Sequence, residues 1–342
     1  MKIAKIAKLV SPVAAAVAAL ASTPAAAQSF ETAFDNAFGT EVRAPRDYAP
    51  EPSSQLELRI AQLANGSEGR IGVAAIDLAT GQEISVLGDQ RFPMASTSKI
   101  AIAATFLEGV DQGRWSLTSE FPLLWPVSSR PFSSAAAPVR RGEYMSALEL
   151  IDLMITRSSN PATDALIAAV GGTGAVNDWA RRAGLNEFSL DRDIATLVRD
   201  DGEFDPARTI DLRDSATPKD MVALLSGLYQ GQWLSRQSRD VIISAMERCR
   251  TGKRRIPALM PSNVLVAHKT GSLNNTSSDI GIITGPDGRS IAVAIYVTGQ
   301  GTRLNRERRI ASIARGIYDG YQEEANRRHY ASATYGNDNT RR

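Results

Sequence analysis

Arg91-Phe-Pro-Met-Ala-Ser-Thr-Ser-Lys99 places Ser96 three residues ahead of Lys99. Downstream, apolar residues at Ile100, Ile102, Ala103, Phe106 and Leu107 predict a buried helix over 97–108, with Gly109 as its stop. If that helix begins near Ala95, residues three apart share a face and the lysine amine reaches the serine hydroxyl. A hydroxyl needs such a neighbour to become a nucleophile, and an amine that is desolvated or near other cations is neutral enough to take the proton. Ser-x-x-Lys alone is a weak signal, for which a helix start with a solvated lysine is the favoured reading, so its weight depends on the rest of the chain.

Working outward, Ile71–Asp77 and Glu83–Leu87 flank Ala79-Thr-Gly81 and predict a β-hairpin. Helical stripes follow at Ala147–Thr156, Pro161–Val170, Pro218–Tyr229 and Ser235–Met246, the second closed by Gly171-Gly172. β character returns at Val264–His268, Asp279–Ile283 and Ser290–Val297, with Gly285-Pro-Asp-Gly288 as a turn, and a helix over 306–321 ends the ordered part. Strands at both ends with helices between predict an α/β (α+β) fold. An antiparallel sheet is built from both chain ends, an all-helical lobe is inserted, and the site lies between the two lobes.

The 342 residues are 43% hydrophobic, enough for one large two-lobed domain. Lys2, Lys5 and Lys8, an apolar run from Leu9 to Ala21 and Ala25-Ala-Ala27 read as a signal peptide over 1–27, cleaved after Ala27, which directs the chain to the periplasm or exterior. The run falls short of the roughly 20 residues of a spanning helix, so no stable membrane anchor is expected. Cleavage removes three lysines and no acid, moving the formal charge from +2 to −1, and gives no reason to expect a nucleic-acid partner. Residues 28–54, with Pro45, Pro50 and Pro52, read as a linker; 55–324 as the catalytic domain; 325–342 as a disordered tail. Cys249, the sole cysteine, excludes an intramolecular disulfide and reads as a buried structural thiol in an apolar-periodic stretch. The two histidines, His268 and His329, offer no good partner for a Ser-His-Asp triad; strand alternation turns His268 away from Lys269, and a structural role is expected for it. With one cysteine they leave little for a zinc site, and no metal or cofactor is expected.

Two further motifs occur in order. Ser158-Ser-Asn160 stands at the junction of two helices, and Lys269-Thr-Gly271 follows a β run. With Ser96-x-x-Lys99 they form the set that marks class A β-lactamases and penicillin-binding proteins. The chain resembles the class A serine β-lactamase family over about 55–321, including Arg213-Asp-Ser-Ala-Thr-Pro218 and His268-Lys-Thr-Gly-Ser272. The resemblance implies a serine hydrolase that opens β-lactam amides through an acyl-enzyme on Ser96, with Lys99 taking or relaying its proton. Ser158 carries the proton to the leaving nitrogen with help from Lys269, and Asn160 bonds Lys99 and the substrate amide. Lys269 and Thr270 hold the substrate carboxylate, and the backbone N–H groups of Ser96 and Ser272 form the oxyanion site. Gly271 is expected to let the substrate backbone approach, and Asn160 to double as a helix N-cap. Arg255 is read either as a further carboxylate ligand or as part of a solvated basic cluster. A monomer acting on a small β-lactam or peptidoglycan-like substrate is also implied.

The chain departs from the family in two places. The middle aspartate of Ser-Asp-Asn is Ser159, and the Glu-x-x-Leu-Asn stretch that carries the deacylating glutamate is missing. Counting from Leu190-Asp-Arg192, the glutamate position falls on Ile194, leaving Asp193, Glu203 or Lys99 itself as candidates for the second half-reaction. The alternatives are a D-Ala-D-Ala peptidase or related penicillin-binding enzyme, and a receptor that is acylated without turnover.

Overall fold

The computed structural model describes residues 42–43, 54–66 and 68–336. The expected signal peptide and most of the expected linker lie outside them; Val42–Arg43, within that linker, pair antiparallel with Ile210–Asp211. The main sheet has five strands, β1 (Ile71–Asp77), β2 (Glu83–Val86), β3 (Leu265–Leu273), β4 (Thr276–Thr284) and β5 (Ser290–Thr298), in the order β2-β1-β5-β4-β3. Every pairing is antiparallel, and the two chain ends meet where β1 lies on β5, with Ile71 opposite Val297. The expected fold class is borne out, as are the β1–β2 hairpin and the turn at Gly285–Gly288.

Nine helices are described: α1 (Gln55–Leu63), α2 (Lys99–Asp111), α3 (Ala147–Thr156), α4 (Asn160–Val170), α5 (Thr173–Arg182), α6 (Ile194–Arg199), α7 (Pro218–Gln230), α8 (Arg236–Glu247) and α9 (Arg303–Gly336). Strand alternation divides the core into two layers. Val73, Val293 and Ile295 pack with Ile60 of α1 and Ile313 and Ile317 of α9. Ala74, Ala292, Ala294 and Tyr296 face the opposite way, against the lobe that contains Phe106, Leu150, Ile155 and Leu166. β5 is therefore buried on both faces, which is why it reads as a continuous apolar run. Helix α2 is likewise buried from Lys99 to Leu107, as suits the central helix of a lobe.

Some boundaries differ from expectation. Helix α2 passes through Gly109 to Asp111, because Gly109 answers a packing need: a Cβ there would stand 2.5 Å from the Trp115 indole. β3 runs through Lys269-Thr-Gly271 instead of ending before it. Helix α9 continues to Gly336, through much of the stretch expected as a tail; residues 337–342 lie outside the described ones. No helix among the described residues is long and apolar enough to cross a membrane.

Candidate active site

A 3₁₀ turn, Ala95–Ser98, leads directly into α2 and fixes Ser96 at the lobe boundary. Its neighbours tie the turn down. The Thr97 N–H and hydroxyl both donate to Met94 O, at 3.1 and 2.7 Å, and Ser98 Oγ donates to Ala95 O at 2.9 Å. Ala95 holds a left-handed φ of +49°, a conformation costing about 1–2 kcal/mol for a residue with a Cβ. Ser96 itself is half-buried between fully buried neighbours.

Lys99, one turn on, is fully buried, and its amine donates to Ser158 O at 2.9 Å, Ser158 Oγ at 3.2 Å and Asn160 Oδ1 at 2.8 Å. These bonds run across to the α3–α4 junction, so in this state the amine is held by the second motif and not by Ser96. Ser158 adopts φ +58°, a bend that presents its carbonyl and its hydroxyl to the same amine. Lys269, also fully buried, donates to Ser158 Oγ at 3.0 Å and to Thr270 O at 2.9 Å. Two lysines thus converge on one hydroxyl. Burial, then repulsion by Lys269, lowers the pKa of Lys99 well below the usual lysine range, whereas Lys269 is brought down by burial to about 8.

The expected cap of α4 falls one residue early. Ser159 Oγ accepts the Ala162 N–H at 3.4 Å, and Asn160, with its carboxamide engaged by Lys99, is the first helical residue. Gly271 serves the protein's own packing: a Cβ there would come within 2.7 Å of Met94 O, so a side chain would push β3 off the turn that carries Ser96. Thr270 Oγ1 lies 2.6 Å from Thr251 Oγ1, and Ser272 Oγ accepts from Arg255 at 2.6 Å. Arg255 is buried, donating also to Gly271 O and Ser278 O, both at 2.7 Å, so it braces the inner side of the β3 edge and the solvated-cluster reading is corrected.

Neither carboxylate proposed for the second half-reaction is hydrogen-bonded to this cluster. Asp193 Oδ1 caps α6 by accepting the Thr196 N–H at 2.7 Å, and Glu203 accepts from Arg213 at 2.8 Å. Ile194, where counting from Leu190-Asp-Arg192 puts the family's glutamate, is buried. The acid that does act on Lys99 was missed in the sequence: Asp164, one turn after Asn160 on α4. It is buried, and its oxygens accept the N–H groups of Ile194 at 2.7 Å and Ala195 at 3.0 Å. Burial raises its pKa to about 7 although those two N–H groups oppose the shift. The i,i+4 spacing from Asn160 was the available sign, but nothing local announces a partner 30 residues away.

Asp164→Ala leaves two buried N–H groups unanswered and is expected to lower the unfolding free energy by about 1–3 kcal/mol in urea titrations. Unchanged stability would show that Asp164 does not anchor α6.

Comparison with known proteins agrees with the geometry. The sequence matches the model of the beta-lactamase enzyme family over residues 55–321. The chain belongs to this family. It is 30% identical to the beta-lactamase CTX-M-8 of Citrobacter amalonaticus over 274 residues, covering 79% of this chain and 90% of that protein. Among solved structures it resembles a beta-lactamase from Chitinophaga pinensis, with TM-score 0.69 and 26% identity over 78% of this chain and all of that one. It also resembles PBP-A, with TM-score 0.65 and 27% identity over 82% of this chain and all of that one. In this family member Ser96-x-x-Lys99, the altered Ser158-Ser-Asn160 and Lys269-Thr-Gly271 come together where Lys99 and Lys269 meet Ser158.

Proposed function

We infer that this protein is an exported serine β-lactamase that opens β-lactam amides through an acyl-enzyme on Ser96. The observation that carries the reading is the convergence of two buried lysines on Ser158 Oγ. Lys99, its basicity lowered by burial and by Lys269, takes the Ser96 proton as the hydroxyl oxygen attacks the lactam carbonyl. The backbone N–H groups of Ser96 and Ser272 receive the oxyanion. Ser158 passes a proton to the departing nitrogen, while Lys269, cationic below about pH 8, steadies Ser158 and with Thr270 holds the substrate carboxylate. Asn160 fixes Lys99 and meets the substrate amide, and Arg255 orients Ser272 from behind. Export rests on the 1–27 pattern, and the enzyme acts as a monomer without a cofactor.

Release of the acyl group is the slow half. Asp193, Glu203 and Asp164 all have oxygens committed to other donors, and counting from Leu190-Asp-Arg192 puts the family's glutamate at Ile194. A stopped-flow time course with nitrocefin is therefore expected to show a burst equal to the enzyme concentration, then slow steady turnover, with the penicilloyl adduct visible by mass. Because Lys269 is needed as a cation, kcat/KM is expected to fall tenfold per pH unit above about pH 8. Absence of both adduct and turnover would overturn the reading. The missing glutamate favours, as a second reading, a penicillin-binding peptidase; release of D-alanine from a stem peptide would select it, and a burst without turnover would select a receptor.

A further inference from the structure

The basic run Lys253-Arg-Arg255 divides in the fold. Arg255 is buried and engaged by Gly271 O, Ser278 O and Ser272 Oγ, whereas Lys253 and Arg254 are exposed. Also exposed are Arg250, in the same loop, and Arg157, which the Arg250 N–H brings alongside by donating to Thr156 O at 2.8 Å. Two contacts seat the loop on the substrate edge. Thr251 Oγ1 lies 2.6 Å from Thr270 Oγ1, and a Cβ on Gly252 would collide with the Thr270 methyl group. Arg157 in turn immediately precedes Ser158. Four exposed cations therefore flank the cluster, three in the loop on Thr270 and one beside Ser158.

Among the described residues none of these four side chains has a hydrogen-bond or ion-pair partner. Other surface arginines do: Arg182 meets Glu108 at 2.6 Å, and Arg315 meets Asp319 at 2.8 Å. The neighbouring acids are engaged elsewhere. Asp152 is held by Arg248 at 2.9 Å, Asp279 by His268 Nδ1 at 2.9 Å and Glu307 by Arg303 at 3.1 Å. Glu247, which ends α8, is exposed and pairs with none of the four. A group of like charges with no internal counter-charge holds a positive potential, and that potential draws in an anion.

We propose that Arg157, Arg250, Lys253 and Arg254 form a basic rim that favours β-lactams carrying a second anionic group on the fused ring, next to the carboxylate held at Thr270. Position decides which second charge is read. The ring carboxylate is assigned to Lys269 and Thr270, and Thr270 is the residue on which the 250–254 loop sits. An anion on the 3-substituent of a cephalosporin meets the rim; one on the acyl side chain, at the far end of the lactam, does not. Each cation is open to water, so each contributes no more than about fivefold. Together they raise the rate of anion capture without altering the bonds made to Ser96.

This selectivity rests on the acyl-enzyme reading, so the test includes binding without chemistry. Second-order acylation rates are compared for cephalosporins that share one nucleus and carry a neutral 3-substituent, a 3-substituent carboxylate, or a carboxylate on the acyl side chain. At low ionic strength the 3-carboxylate compound is expected to acylate Ser96 about five- to tenfold faster than the neutral one, and the side-chain carboxylate to gain less than about twofold. In the R157Q/R250Q/K253Q/R254Q protein the advantage of the 3-carboxylate is expected to fall below about twofold. Salt near 1 M, where the Debye length is about 3 Å, does the same to the native protein. If the fourfold variant does not fold, R157Q/R250Q and K253Q/R254Q decide, each losing part of the advantage. An equal gain from both placements, or an advantage that survives these substitutions, overturns the rim. In equilibrium dialysis, Ser96→Ala is expected to bind the 3-carboxylate compound about fivefold more tightly than the neutral one; equal binding overturns the rim even where acylation proceeds. If no cephalosporin acylates the native protein, the acyl-enzyme reading fails, and the dialysis comparison still decides the rim.

Discussion

Ser96→Ala removes all covalent labelling by a fluorescent penicillin and lowers kcat/KM on nitrocefin by about 10⁴-fold or more, the scale seen when a nucleophile is deleted from a coupled catalytic unit. The fold is expected to be unaffected. The 95–98 turn is held by Thr97 and Ser98, whose hydroxyls bond Met94 O and Ala95 O, and by Thr97 meeting the Tyr296 hydroxyl at 2.9 Å. Since the Ser96 side chain contributes none of these bonds, its loss separates chemistry from stability. Residual hydrolysis is expected from the oxyanion site and bound geometry alone. A variant that folds, binds penicillin and still gains its mass would require a nucleophile other than Ser96.

Lys99→Met is expected to slow acylation by about 10²–10⁴-fold, the usual contribution of a positioned base. Methionine keeps an unbranched chain in the buried channel, so the loss reads as missing basicity more than a void. The sharper comparison is Lys99→Arg. A guanidinium stays charged at any working pH, so it can imitate the cation but never the neutral amine. Lys99→Arg should be about as inactive as Lys99→Met. Substantial activity in the arginine variant would make Lys99 a fixed positive charge and move the base elsewhere, whatever burial and Lys269 do to its basicity.

The fold was legible because its periodicities are clean. The apolar run at Ser290–Val297 reads as β and is a strand buried on both faces, and the helical stripe at Ala147–Thr156 reads as a helix and is one, capped by Ser146. The motifs gave the cluster because each is local, and folding had only to bring Lys99, Ser158 and Lys269 together. What sequence could not reveal were partners set by long-range contact. Asp164 answers N–H groups on α6, Arg255 turns inward to the strand instead of outward to water, and Cys249, expected as a buried thiol, is partly exposed with its sulfur 3.4 Å from Thr251 Oγ1. A solvated arginine and a bracing arginine have the same local sequence. Gly109 failed as a helix stop for the same reason: its significance lies in Trp115 packing where a side chain would be.

The pairing of Ile71 with Val297 also governs how the molecule comes into being. The strand that carries Lys269 joins the N-terminal strands only through β4 and then β5, so no part of the sheet linking the two ends can close until nearly the whole chain is available. The loop to be closed is long, and its entropy is lost before the contacts that reward it are made. Assembly of the site is consequently a late event. A chain that ends before Ser290 can form the helical lobe's local structure and the β1–β2 hairpin, but has no strand to attach Lys269 to that hairpin.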